Sequence, residues 1–257
     1  MAEWEPLAGL VCAVISLTAW APWYADVFRV NRLTTPMGFR LVLGLTPFFC
    51  LLFLLLCVAT AAPKAIRESG LHVLIHMTLR TAALGVSAQL YPFLGVSARD
   101  DVLERHNAAG LIVVVGGLIG TVLCFAGGSI GLRPGVGAAI ASGGMALCTW
   151  FVLWYVTDSL SGRGIAEQIT VERDIGSGLR LASLLVANGI ILGAASQGNW
   201  TLYHFAVSAW PALAVTLMAA LAERFFGSGS FIGRSLLVTS GYLLVAILWV
   251  LHRRFEK

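Results

Sequence analysis

The chain has 257 residues, of which 58% are hydrophobic and only 12% are charged, and its formal net charge is +4. Soluble domains contain about 25% charged residues, so this composition argues against a soluble protein. The positive charge comes from arginines scattered near the ends of apolar runs. This pattern suits anionic lipid headgroups and argues against a nucleic-acid partner, which would need a concentrated basic stripe.

Eight apolar runs have the length of about 20 residues that an α-helix needs to cross a bilayer. The fold class we predict is an all-α membrane protein, a bundle of about eight transmembrane helices. Arginines are enriched in the loops after the first, third, fifth and seventh runs, which predicts that these loops are cytoplasmic. The predicted spans are residues 6–28, 41–61, 71–96, 107–130, 136–157, 175–197, 203–221 and 231–251.

A tandem repeat is indicated in the centre of the chain. Glu104-Arg105 precedes the fourth run and Glu172-Arg173 precedes the sixth, 68 residues later. A fixed spacing of this size is typical of repeated supersecondary units. We predict one membrane domain in four segments: residues 1–98 with three helices, 99–158 and 159–226 with one two-helix repeat each, and 227–257 with the last helix and a basic tail.

The two repeated charge motifs admit three interpretations. Glu104, Arg105, Glu172 and Arg173 can form a solvated cluster at helix starts, where the helix dipole favours carboxylates. They can instead form buried Glu–Arg pairs between the repeats, or a pair of catalytic carboxylates. No nucleophile or metal site in the neighbouring sequence supports the catalytic interpretation.

Glycines at four-residue spacing occur in the fourth and sixth runs. Small residues at this spacing let membrane helices approach closely. The contact can lie within the chain or between copies of it, and an oligomer interface is the functional alternative. The helix-packing candidates are Gly116, Gly117, Gly120, Gly189 and Gly193.

The third run carries a row of polar side chains. His72, His76 and Arg80 are four residues apart and therefore share one helix face. A charge within a span is costly and usually faces a polar cavity or a partner. We expect Arg80 to pair with an acid such as Asp26 or Glu104. The alternatives for this face are interfacial histidines, a polar cavity or ion path, and metal or haem ligation, for which only His204 offers a second helix.

Motifs for common chemistry are missing from the sequence. The five cysteines lie in apolar runs without metal-ligand spacing, and there is no Walker or HExxH motif. We therefore predict no enzymatic activity, no catalytic residues, no metal site and no cofactor.

The repeated segments resemble the domain-of-unknown-function-350 family of bacterial inner-membrane proteins. The residues that carry the resemblance are ERHNAAGLIVVVGGLIG, AGGSIGLRPG and ERDIGSGLRLASLLVANGIILG. Arg105, Asn107, Gly116, Gly117 and Gly120 match the family pattern. In the second copy, Ile175 replaces the asparagine. The resemblance covers residues 99–226 and implies a multipass protein of the bacterial inner membrane, with no activity that can be carried over.

The function expected from the sequence is a non-enzymatic scaffold subunit of the cell envelope. Its partners would be the lipid bilayer and either further copies of itself or another membrane protein. The first alternative is an ion or small-solute channel or transporter, supported by the His72 face and by prolines within the predicted spans. The second alternative is a haem or redox membrane subunit.

Overall fold

The computed structural model describes residues 4–30, 34–128, 136–162, 164–197, 201–226 and 232–255. This part of the chain is helical and contains no strand. A 3-10 turn (Tyr91–Leu94) and a π-helical segment (Ala98–Glu104) lie between α4 and α5. The helices are α1 (Glu5–Arg29), α2 (Met37–Ala61), α3 (Lys64–Arg67), α4 (Gly70–Leu90), α5 (Ala108–Gly128), α6 (Val136–Leu160), α7 (Ile165–Thr170), α8 (Ile175–Ala195), α9 (Leu202–Phe226) and α10 (Ile232–Phe255).

Eight helices in the described residues are long and apolar enough to cross a membrane, namely all except the short α3 and α7. The predicted all-α bundle of eight spanning helices is therefore confirmed, and the protein is a multipass membrane protein. Large apolar side chains cover the outward faces, such as Leu17 and Leu237, which are 73% and 74% exposed. Such surfaces require contact with the lipid bilayer.

The bounds of the helices agree with the predicted spans to within four residues except at two ends. The third span was predicted to reach residue 96, but α4 ends at Leu90. Pro92 lies in the 3-10 turn that follows, and Gly95 stops it in a left-handed conformation with φ of 86°. The seventh span was predicted to end at residue 221, whereas α9 continues to Phe226.

The core of the bundle is a close contact between α5 and α8. Gly178 faces Ala109 and Gly189 faces Gly120, so residue numbers rise together and the two helices run parallel. A Cβ atom added at Gly189 would lie 2.6 Å from the carbonyl oxygen of Gly120. We call this contact the glycine interface. Its predicted members Gly116, Gly120, Gly189 and Gly193 all lie within it, whereas Gly117 packs on Tyr91.

The connections that lead into α5 and α8 have the same backbone hydrogen bonds. The amide of Asn107 donates to the carbonyl of Asp101, and the amide of Asp174 donates to that of Gln168. Asn107 and Asp174 then cap α5 and α8 with their side-chain oxygens. Equivalent positions are 67 residues apart, as also holds for the first residues of the two helices. The tandem repeat stays a prediction.

The predicted spacing of 68 residues does not match this backbone register. Each capping residue follows a residue in the left-handed conformation, His106 with φ of 54° and Arg173 with φ of 57°. Arg173 is thus equivalent to His106, and the two Glu-Arg pairs do not occupy equivalent positions. The helix caps fix the register, because they satisfy amide groups that the first turn leaves without partners.

Candidate functional site

The polar row on α4 lies against α1. The side chain of Ser69 accepts a hydrogen bond from the amide of His72, which caps α4 and sets the direction of its faces. Nε2 of His72 lies 3.6 Å from Oε2 of Glu5, the first residue of α1. His76 and Arg80 follow one and two turns later, and each is only 2% exposed. We call Glu5, His72, His76 and Arg80 the polar interface.

His76 is the unusual member of this interface. Neither Nδ1 nor Nε2 of its ring has a hydrogen-bond partner among the described residues. A neutral imidazole has one donor and one acceptor, and leaving both buried without partners is costly. The arrangement therefore suits a small polar species, such as water or an ion, that bonds to the ring.

Arg80 occupies the inner end of the row. Its guanidinium lies within electrostatic range of the Cys57 thiol on α2 and of the His76 ring. Three helices thus contribute to the surroundings of the polar interface: α1 with Glu5, α2 with Cys57 beside Arg80, and α4 itself. His72 is nearer to the surface, with 24% of its side chain exposed.

Asp26 does not belong to this face, contrary to the sequence prediction. Because α1 and α4 run parallel, Gly9 faces Ile75 and Ala19 faces Gly85, so Asp26 lies near the opposite end of the contact. There its Oδ1 is 3.9 Å from Nη1 of Arg99. The acid that accompanies the histidines is Glu5. Glu104, the other acid considered for Arg80, bonds to Nε of Arg99 at 3.2 Å.

A small cavity lies at the Asp26 end. It has a volume of about 60 Å³, and Asp26, Gln89, Ser97 and Arg99 are among its lining residues. Trp20 separates it from the His76 region. Its indole donates to the carbonyl of Thr81 at 3.0 Å and packs so closely that a Cβ at Gly85 would lie 2.9 Å from the indole nitrogen. The α1–α4 contact thus has polar groups at both ends and an aromatic barrier between them.

The first predicted charge motif pairs with neighbours in sequence, and the second is exposed. Arg105 bonds to Asp101 at 3.3 Å, and Glu172 and Arg173 are exposed. These contacts match the solvated-cluster interpretation. Burial raises the pKa of the Asp101 carboxyl, although the Ser97 amide and Arg105 oppose the rise.

Asp174, the residue that caps α8, is stabilised in its charged form. Burial acts to raise the pKa of Asp174, but hydrogen bonds from the Ser177 hydroxyl and the amides of Ser177 and Gly176 outweigh it. The pKa of Asp174 is therefore below its ordinary value. A carboxylate at this place is also favoured by the dipole of α8.

A buried ion pair was missed by the sequence analysis. Arg180 of α8 and Glu223 of α9 are 2% and 3% exposed. Nη2 of Arg180 donates to Oε2 of Glu223 at 2.9 Å, while Nη1 donates to the hydroxyl of Ser235 on α10 at 2.6 Å. The available signal was a lone arginine within the predicted sixth span. Its partner was overlooked because the seventh span was predicted to end before residue 223.

Metal and haem ligation gain no support from the geometry. Within the described ranges, no group of three His, Cys, Asp or Glu side chains is placed to hold a metal ion. His204, the second histidine considered for haem, is exposed near the start of α9.

Comparisons with known proteins found no relative. No family model, no curated protein and no solved structure matches the chain.

Proposed function

We propose that the protein transports a small ion across the membrane along the α1–α4 contact. The observation that carries the proposal is His76, which is buried within a spanning helix with neither ring nitrogen bonded by the described residues. Ionisable residues in such places are expensive and mark ion paths or proton relays. A neutral imidazole also has one donor and one acceptor nitrogen, so it can bond to an ion or to its hydration water.

The two ends of the α1–α4 contact favour alternating access over an open pore. Glu5 and His72 lie at one end, and Asp26 and Arg99 lie at the other. Trp20 packs between the two ends, where its indole donates to the carbonyl of Thr81. In our proposal this side chain closes the path in this conformation. The cavity of about 60 Å³ at the Asp26 end has room for water-sized species only. These features support an ion as the substrate rather than a larger solute.

The scaffold hypothesis has less support. It relied on glycine-rich faces, and the close glycine contacts described above are made within the chain. The domain-of-unknown-function-350 assignment and the bacterial inner membrane remain proposals that rest on the quoted segments. We also propose that the protein is not an enzyme.

Flux measurements in liposomes test the transport proposal. The purified protein would be reconstituted with a pH-sensitive dye in one set of vesicles and a chloride-sensitive dye in another, and ion gradients would be applied. We expect flux above that of protein-free vesicles in at least one set, and we expect His76→Leu to abolish it. His204→Leu is the matched control, because this histidine is exposed on another helix.

Two results would contradict the proposal. One is a wild-type flux equal to that of protein-free vesicles in both sets. The other is a His76→Leu protein that transports as well as the wild type.

A further inference from the structure

A large groove lies between the end of α1 and the beginning of α2. Its volume is about 720 Å³, within the range of about 300–1,000 Å³ that is usual for ligand sites. Most of its walls are apolar or aromatic. The lining residues are Tyr24, Val27, Phe28, Thr35, Met37, Arg40, Leu41, Gly44 and Leu45.

Arg40 gives this groove a fixed positive charge. Its Nη1 donates to the carbonyl of Val27 at 2.7 Å, and its Nη2 donates to that of Val30 at 2.6 Å. These bonds tie the guanidinium to the last turn of α1. Each Nη nitrogen carries a second N–H group, so the fork keeps donors for a further acceptor. Arg29 lies in the same turn of α1 and is exposed.

The charge of the groove is not balanced from within. Among the lining residues that the structure describes, none is acidic. Arginine is well suited to phosphate because its planar fork can donate two parallel hydrogen bonds. The groove therefore has a phosphate-binding group at one place and apolar walls elsewhere.

The apolar walls continue along a membrane-spanning helix. Leu41 and Leu45 follow Arg40 on α2 and are both 47% exposed. Tyr24 closes one side, with its hydroxyl donating to the carbonyl of Gly44 at 3.3 Å. Aromatic side chains at this position are typical of the level of lipid headgroups. A phosphate held by Arg40 would have its acyl chain beside these leucines.

We propose that the groove binds one anionic phospholipid, with its phosphate on Arg40 and an acyl chain along Leu41 and Leu45. Basic sites between spanning helices are known to hold anionic headgroups. A zwitterionic lipid has the same phosphate but brings a positive charge towards the arginines. The site should therefore prefer an anionic headgroup. This inference does not rest on the transport proposal, because no residue of the polar interface lines the groove.

Two glycines of α2 provide a matched test. Gly44 lines the groove, and a Cβ there would meet only Val27, at 3.8 Å. Gly44→Leu thus fills the groove without changing Arg40 and keeps the carbonyl that accepts from the Tyr24 hydroxyl. Gly38 lies outside the groove, and a Cβ there has no atom within 4 Å. Gly38→Leu is the control for the added side chain.

The experiment measures binding of short-chain phosphatidylglycerol by native mass spectrometry and by the shift in melting temperature in detergent. Phosphatidylcholine with the same chains and inorganic phosphate are measured in parallel. We expect phosphatidylglycerol to bind best and Gly44→Leu to weaken it by about tenfold or more, equivalent to about 1.4 kcal/mol. Gly38→Leu should bind like the wild type.

Three outcomes would overturn the proposal. Equal binding of phosphatidylcholine and phosphatidylglycerol would show that the charge of the headgroup does not contribute to binding. An equal melting shift with inorganic phosphate would show a free-anion site instead of a lipid site. Unchanged binding by Gly44→Leu would place the lipid elsewhere on the protein.

Discussion

The glycine interface and the polar interface are both parallel contacts between buried helix faces, yet they are filled in opposite ways. In the glycine interface, the backbone of α5 meets that of α8, and a Cβ at Gly120 would lie 2.6 Å from the carbonyl oxygen of Leu185. In the polar interface, ionisable side chains lie between the helices, and neither ring nitrogen of His76 has a bond to the described residues.

The glycine interface therefore contributes to stability, and the polar interface to the proposed function. Close backbone contact maximises dispersion attraction and leaves no room for a ligand. A buried imidazole without partners costs stability and is retained only where something else requires it. The first interface should therefore respond to added volume, and the second should tolerate substitution without unfolding.

The largest effect is expected from Gly189→Val. The new side chain would meet backbone atoms of Gly120, which cannot move aside as a flexible side chain can. Overpacking of this kind costs about 3 kcal/mol or more at the upper end of its range. Unfolding in detergent would measure the loss. Gly144→Val is the control, since a Cβ at Gly144 has no atom within 4 Å, and equal stability of the two variants would contradict the glycine interface.

A smaller effect is expected from Asn107→Ala at the entrance to the glycine interface. Oδ1 of Asn107 accepts from the amides of Ala109 and Gly110, and Nδ2 donates to the buried carbonyl of Ile169 at 2.6 Å. Losing the cap and this donor should lower the free energy of unfolding by about 2 kcal/mol.

The variant Asn107→Asp separates the two contributions of this side chain. It keeps an oxygen for the cap but cannot donate to Ile169, so its free energy of unfolding should lie between those of the wild type and Asn107→Ala. A fully stable Asn107→Ala protein would show that the cap and the Ile169 bond contribute nothing.

The smallest effect on stability is expected from His76→Leu. The substitution removes two buried nitrogens that lack partners in the described residues and keeps most of the volume. The free energy of unfolding should stay within about 1 kcal/mol of the wild-type value or rise. Thermal unfolding in detergent checks this. A large loss of stability would show that His76 holds the helices together and would weaken the comparison between the two interfaces.

The helices could be predicted from the sequence because each depends mainly on its own residues. Length and hydropathy located every span, and Pro92 with Gly95 carries the signal for the one early end. The four-residue spacing of His72, His76 and Arg80 likewise predicted that they share one helix face. Periodicity along a single helix is local information, so it needs no knowledge of the neighbours.

Partners across the bundle could not be predicted in this way. The choice between Asp26 and Glu5 depends on which faces of α1 and α4 meet and in what register, which neither helix encodes by itself. Arg180 and Glu223 are 43 residues apart, and their pairing depends on how α8 packs against α9. The register that relates the two connections before α5 and α8 follows from the caps at Asn107 and Asp174, and the sequence analysis had instead used the Glu-Arg pairs.

The ion pair between Arg180 and Glu223 has a consequence for the order in which the protein enters the membrane. Translation delivers Arg180 a few seconds before Glu223, at about 5–20 residues per second. During that time, α8 carries an arginine whose insertion alone costs roughly 2.5–3.5 kcal/mol near the centre of a span on translocon scales.

The two helices should therefore leave the translocon as a hairpin, with α8 reaching its final depth only when α9 arrives. Ser235 on α10, 55 residues after Arg180, completes the arrangement last. A ribosome that stalls between α8 and α9 would hold a half-inserted helix at the translocon. The buried position of Arg180 thus depends on two helices that are synthesised after α8.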